Sequence, residues 1–428
     1  TSFTVGIGLN RIADFNSRYS YKTDTPYAGG SVWAPTIADI FGQQLGQAGI
    51  FPNGNDELGY NVNPYYWPAV LGYNGFMISR HFYTDPETQE EKPTYVPDCI
   101  GSNASILHYM DVVNSGSINE FTISAGANLN NIVYIGATIG IQSVHKATGV
   151  YYGEDYRYDH GQAINSAGEE LETQLDYAGL YQKSVLDGSG VNFKLGVTVR
   201  PIESLRIGVA FHTPTYYSMS DYYMASVDNA YTYVNTNVNE TLSERDVTDS
   251  PEGRYDYSLV TPLKFMASTA FIIGKKGIVS FDYEYTAYDK MSLSETDGLE
   301  MNDVNDDISS YFKAGHTFRV GGEYRITPQL SARLGYANQL SPMKVSTGDA
   351  LNIAGMAPHY TLDRGTQYYT CGLGYRFGIF YADMAYIHKN AKSDVLAFSP
   401  IPSTGLTSEV ATLHAKNNSF ILTLGFKF

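Results

Sequence analysis

The chain has 428 residues, of which 41 are Gly and 37 Tyr, with 17% charged residues and a formal net charge of −16. The charged fraction is below that of ordinary water-soluble domains, and an acidic balance without a basic stripe excludes nucleic acid as a partner. The longest nearly apolar stretch, 68–78 (PAVLGYNGFMI), is shorter than the about 20 residues that a spanning helix needs. Transmembrane helices are thereby excluded; a transmembrane β-barrel is not.

The chain opens on a strand, near 2–12 (TSFTVGIGL), with no charged n-region or apolar h-region, so any secretory signal is expected to have been removed. A long connection follows, 13–117, and loops of that size are functional or disordered. It carries an amphipathic helix over Thr36–Ala48, with Ile37, Ile40, Phe41 and Leu45 at helical spacing. Trp33, Phe51, Tyr65, Tyr66, Trp67, Val70, Leu71, Phe76 and Met77 surround it. This segment reads as an extracellular lid with its own small core. Trp33, Phe41, Leu45, Phe51, Trp67, Leu71 and Phe76 are its candidate substrate-binding residues, forming an apolar capture groove.

Further strands are expected near 118–128, 132–145, 172–200, 204–227, 252–273, 277–288, 313–326, 329–339, 365–377, 379–388 and 416–428, about twelve in all. Period-two alternation marks them. Leu330, Ala332, Leu334 and Tyr336 share one face against Ser331, Arg333 and Gly335, and Phe420, Leu422, Leu424, Phe426 and Phe428 share one face of the last strand. Leu205, Ile207, Val209 and Phe211 repeat the pattern, as do Val279, Phe281, Tyr283 and Tyr285. Tight joints at Asn128–Asn131, Pro201–Ser204, Gly274–Gly277, Thr327–Pro328 and Gly378 alternate with long polar stretches (146–170, 228–251, 288–312, 340–364 and 389–415). Short turns on one side and long loops on the other are the pattern of an outer-membrane barrel. Pro262 is expected to mark a bulge. The terminal Phe428 fits a signal read by barrel-insertion machinery. The fold class is therefore all-β: a single transmembrane antiparallel β-barrel, monomeric, in the bacterial outer membrane. A closed sheet also explains how this composition can satisfy its backbone in lipid.

The predicted inward set is Lys194, Arg200, Arg206, Lys264, Asp282, Glu284, Arg319, Glu323, Arg333, Arg376, Asp383 and Lys427. Both signs are present, which points to interstrand ion pairs, with steering of a substrate head group as the alternative; Arg206 of this set is a candidate substrate-binding residue, and so is His212, inward beside Thr213 and Pro214, for which haem ligation and a packed lumen histidine are the two readings. Gly is frequent on the same face, at Gly136, Gly140, Gly196, Gly208, Gly321, Gly335, Gly372, Gly374 and Gly425. It either relieves curvature or makes room for a plug. Cys99 and Cys371 are far apart and share no metal-ligand spacing, so neither a disulfide nor a zinc site is expected. The acidic runs Asp297–Asp307 and Glu154–Asp159 lack EF-hand spacing and read as solvated loops, bridged to lipopolysaccharide through divalent ions. No GxSxG elbow or metalloprotease motif occurs; no catalysis, metal or cofactor is expected.

The opening FTVGIGLNRIADFN, the segment 189–217 (SGVNFKLGVTVRPIESLRIGVAFHTPTYY) and the segment 257–277 (YSLVTPLKFMASTAFIIGKKG) resemble the Bacteroidota branch of the FadL-type long-chain fatty acid transporter family. Proteins of that branch are often labelled aromatic hydrocarbon transporters or haemin receptors. The resemblance covers nearly the whole chain. It implies a fourteen-stranded barrel with an N-terminal hatch carrying an Asn-Pro-Ala-type motif. No such motif stands near the start here, so the hatch and about two strands are expected to lie outside this sequence. The resemblance further implies passive uptake of small hydrophobic molecules, long-chain fatty acids or aromatic hydrocarbons, through an extracellular groove, a lumen pocket and a lateral exit. Two other readings stand beside it: a non-transporting barrel that serves as a surface-binding or scaffold subunit with other envelope proteins, and a haem-binding receptor.

Overall fold

The computed structural model describes all residues except 26–35, 55–56, 159–160, 166, 236–239, 275, 347–358, 399–409 and 427–428. Trp33, Lys427 and Phe428 therefore lie outside the described residues.

The alternating sequence folds into one curled antiparallel sheet. Its first wall segment is β1 (Ser2–Asp14) continued by β2 (Ser17–Thr25), both laid along β5 (Ala104–Leu129). Next come β6 (Val133–Tyr158) and β7 (Thr173–Ile202), then β8 (Leu205–His212) continued by β9 (Tyr216–Asn235). The descending partner is built of β10 (Glu240–Asp249), β11 (Gly253–Val260) and β12 (Lys264–Ile273). The sheet continues through β13 (Gly277–Thr286) with β14 (Ser292–Glu295), then β15 (Gly315–Arg325) and β16 (Leu330–Gln339). It ends with β17 (Tyr360–Phe377), β18 (Phe380–Leu396) and β19 (Val410–Phe426). These make 12 wall segments, the number read from the sequence. Among the described residues no ladder joins β1 to β19.

Two halves of the wall can be told apart by strand continuity. From the short-turn end, β8, β12, β13, β15 and β16 run only 8 to 11 residues, about the 9–11 that a tilted strand needs to cross a bilayer. At that height the ladder breaks across three neighbouring segments, at 213–215, 261–263 and 287–291. Pro214 and Pro262 lack the N–H that a ladder needs. The threonines beside them repair the gap: Thr215 N donates to Thr261 Oγ1 at 2.8 Å, and Thr261 N to Thr215 O at 3.1 Å. The same height is marked on β1/β2 and β5 by Phe15 N bonding Gly116 O, where Gly116 has φ +115°.

The face that carries the apolar residues switches across this boundary, while the even-numbered residues of β6 remain the more buried set throughout. Below it, Ile139 and Ile141 of β6 face outward and are 48% and 50% exposed, forming part of a lipid-facing apolar belt. Above it, with no slip in register, the buried residues are Val150, Tyr152 and Tyr156, on the opposite face. The upper strands thus line an interior and enclose the protein's main hydrophobic core. They extend well past the expected boundaries: β5 begins at Ala104 rather than near 118, and β6 runs on to Tyr158. The expected connection 13–117 accordingly shrinks to the stretch between β2 and β5, because strand pairing continues outside the membrane wherever an inner apolar face can be covered.

That stretch contains α1 (Ile37–Ala48), α2 (Trp67–Asn74) and a two-stranded hairpin, β3 (Ser79–Thr84) with β4 (Glu91–Val96). The acidic run at Asp297–Asp307 holds a further helix, α3 (Asn302–Tyr311), where a loop was expected.

Candidate functional site: an apolar lid above a charged lumen

The lower interior is a belt of paired charges set by the alternation. Glu120 of β5 is 3% exposed. The Lys194 ammonium, on β7, donates to both of its oxygens at 2.6 and 2.7 Å. Gln142 Nε2 donates to it at 2.7 Å; Asn192 Nδ2 lies 3.4 Å from it and donates to Thr215 Oγ1 at 3.0 Å. Tyr217 donates to Gln142 Oε1 and closes the network.

Further round the wall Glu284 accepts from Arg319 at 2.6 Å, with Lys264 3.4 Å away. Arg333 bridges Glu323 at 2.8 Å and Asp383 at 2.6 Å. Isolated charges would be costly in this half of the wall; paired and inward they are tolerated. The interstrand ion pairs expected from the sequence are therefore present at Lys194, Lys264, Glu284, Arg319, Glu323, Arg333 and Asp383. Glu120, their most buried member, was not singled out.

The inward glycines have a specific use at two places. A Cβ on Gly140 would stand 2.6 Å from both Glu120 Oε1 and Asn192 Oδ1, and one on Gly374 would stand 2.5 Å from Asp383 Oδ1. These positions are bare because charged side chains of neighbouring strands lie flat across them, a third reading beside curvature relief and a plug.

The lid sits in the upper interior. Thr36 is the cap of α1 rather than its first helical residue: its Oγ1 accepts from Asp39 N at 3.1 Å while Asp39 accepts from Thr36 N at 2.9 Å, a reciprocal capping box. Gly49, with φ +66°, ends the helix in the left-handed region. The N-terminus is pinned to the wall by Glu154 of β6, whose Oε1 accepts from Ile37 N at 2.9 Å and from Tyr152 Oη at 2.8 Å. Its other oxygen accepts from Tyr156 Oη at 2.5 Å, and His108 Nδ1 lies 3.3 Å from Oε1. A carboxylate is favoured there by the helix dipole. Glu154 is 0% exposed, which corrects the expectation that 154–159 is a solvated loop. Burial, with the nearby Glu154 charge adding to it, pushes the Asp39 carboxyl above its ordinary range against the bonds from Thr36.

α1 and α2 cross closely, because a Cβ on Gly72 would overlap the Phe41 ring. Phe41, Leu45, Trp67 and Leu71 are all buried in this core. Trp67 Nε1 donates to Tyr60 O at 3.2 Å and Val62 O at 3.3 Å. Phe51 is half-buried and stacks on Tyr95 at 5.2 Å. Phe76, just after α2, is 67% exposed and holds φ +60°, an uncommon conformation for a bulky residue. The fold thus brings four of the seven lid candidates into one core and leaves Phe76 at its surface. Arg206 and His212 stand on β8 in the membrane half, and His212 is in register with both Lys194 and Lys264.

No protein-family profile and no curated protein matches the chain. Solved structures do. A Pseudomonas aeruginosa FadL homologue is 13% identical over 97% of this chain and 99% of its own, with a TM-score of 0.46. The toluene transporter TodX of P. putida is 11% identical over 82% and 87%, with a TM-score of 0.43, and TbuX of Ralstonia pickettii is 12% identical over 82% and 86%, with a TM-score of 0.41.

Proposed function

We propose that this protein is an outer-membrane channel for passive uptake of small hydrophobic compounds, long-chain fatty acids or aromatic hydrocarbons, working without catalysis or energy coupling. The observation that carries the reading is the vertical change of character inside one wall. An apolar helical compartment fills the outer half, above a lumen lined by paired charges, while the outward belt faces lipid. An apolar solute leaving water finds its first favourable environment at the lid, with Phe76 at the surface and Phe41, Leu45, Trp67 and Leu71 beneath. Phe51 and Trp33 belong to the same groove in this reading. His212 and Arg206, on the lumen wall, would meet the polar end of a ligand after entry, and a lateral exit would return the apolar solute to the membrane. The outer loops would meet lipopolysaccharide.

The test is transfer of a fluorescent fatty acid and of a monoaromatic hydrocarbon into liposomes carrying the protein, with mass spectrometry of co-purified small molecules. Accelerated transfer that Phe76→Asp reduces several-fold, with the sheet intact by circular dichroism, is the expected result. Transfer no faster than in protein-free liposomes, from a protein that purifies empty, would favour a scaffold subunit instead. A Soret band on adding haemin would favour the haem receptor.

A further inference from the structure

We propose that the outer wall carries a lipid-binding groove that takes one acyl chain of a phospholipid from the periplasmic leaflet. Val279, Gly322, Leu334, Cys371 and Tyr386 form one outward row of consecutive register partners on β13, β15, β16, β17 and β18. Gly322 and Cys371 flank Leu334 on both sides, and Leu334 is consequently 71% exposed, against 44% for Val279 and 48% for Val320. The small residues at these two positions leave an outward cavity of about 630 Å³ with an almost wholly apolar lining. Tyr336 and Tyr369, with ring centroids 5.2 Å apart, close its upper rim.

The groove is continuous with the lipid-facing belt, so its occupant is hydrocarbon. Its height selects the leaflet. Val279 is the third residue of β13, Gly322 stands three residues before the end of β15, and Leu334 is the fifth of the ten residues of β16, which places the groove from mid-wall down towards the short-turn, periplasmic side. That side is bathed by phospholipid rather than by the acyl chains of lipopolysaccharide. The proposal rests on the membrane orientation and not on transport.

The experiment uses vesicles containing a phosphatidylethanolamine with a diazirine near the middle of one acyl chain, irradiated and mapped by peptide mass spectrometry. Adducts concentrated several-fold on Leu330–Gln339 and Tyr360–Phe377 over the belt strand Lys264–Ile273 are expected. They should fall to the level of that strand in Gly322→Val and Cys371→Leu. A Cβ at Gly322 meets nothing closer than Ile278 O at 3.7 Å, so the wall has room for the branch point of the new side chain. Even labelling along the belt, or labelling unaffected by both variants, overturns the proposal. So does displacement of the label by added fatty acid or hydrocarbon, which would make the groove part of the transport route. Retained labelling in a protein inactive in the liposome assay supports the groove while the transport reading fails.

Discussion

Lys194 reaches Glu120 across an intervening strand. The two residues stand on β7 and β5, and their ion pair at 2.6 Å passes over Gly140 of β6. Because the pair depends on that bare position, Gly140→Val should break it sterically while leaving both charges in place. Overpacking of this kind costs about 1–3 kcal/mol, and an unpaired Glu120 at 3% exposure adds to it. The expected outcome is a lower unfolding midpoint in urea for the reconstituted protein, with Gly136→Ala as a mild comparison, since a Cβ there meets only Ala125 O at 3.9 Å. Equal midpoints for the two variants would show that the pair does not depend on Gly140.

Glu154 is the lid's anchor and should be separable from the barrel. Glu154→Ala removes the acceptor for Ile37 N, Tyr152 Oη and Tyr156 Oη together. Leaving several buried donors unsatisfied costs on the order of 2–4 kcal/mol. Limited proteolysis should then cut within 37–78 at protease levels that spare the native protein, while the membrane strands stay protected. Glu154→Gln keeps an acceptor oxygen and should lie between the two. Unchanged protection of the lid in Glu154→Ala would mean that the apolar core alone holds α1.

The membrane half was legible in the sequence because its rule is simple: apolar outward, small or polar inward, at period two, as at Leu205–His212 and Leu330–Gln339. The helix 37–48 was legible for the same kind of reason, its apolar residues falling at helical spacing, although the capping role of Thr36 emerged only from the structure. The upper wall was not, because its rule inverts. In Val133–Tyr158 the apolar residues shift from Ile139 and Ile141 to Val150, Tyr152 and Tyr156, and the mixture of Tyr, Gly, Glu and Asp at its end reads as a loop unless the lid is known to cover it. Glu120 carried a usable signal, since it alternates against Phe121 and Ile123, but its partner is two strands away and sequence spacing does not show that.

Two groups outside the membrane half give opposite pH dependences. Burial, with the Lys146 charge adding, pushes His359 down to about 4 from an ordinary 6.5, where its Nε2 lies 2.7 Å from Tyr19 Oη. Between those values the unfolded chain binds the extra proton, so this group makes stability rise with pH across about 4 to 6.5. Burial pushes Asp221 up to about 6 from 3.8, against the Ser184 hydroxyl at 3.0 Å and the Lys146 charge. There the folded state holds the extra proton, so its contribution falls as pH rises from about 4 to 6. Each amounts to at most about 3–3.5 kcal/mol. Asp221→Asn should therefore steepen the gain in lid stability between pH 4 and 6, and His359→Gln should flatten or reverse it, read by proteolysis midpoints at several pH values. Parallel profiles for both variants and the native protein would show that neither group titrates in that range.

The edges at β1 and β19 make the strongest demand on the membrane. Phe3, Val5, Ile7 and Leu9 of β1 are 76–80% exposed, and Phe420, Leu422 and Leu424 of β19 are 67–77% exposed. Each unsatisfied backbone group in hydrocarbon costs several kcal/mol, so neither edge can remain bare in a bilayer. With twelve wall segments alternating in direction, β1 and β19 run antiparallel. They can pair with each other or with an even number of further strands; an odd number would break the alternation. Hydrogen exchange in lipid nanodiscs should accordingly show the amides of Ser2–Asp14 and 410–426 protected on the same timescale as those of the central strand Leu330–Gln339. Fast exchange confined to the two outer strands in a correctly inserted protein would mean that the wall stands open in the membrane, and the barrel reading would fail at that seam.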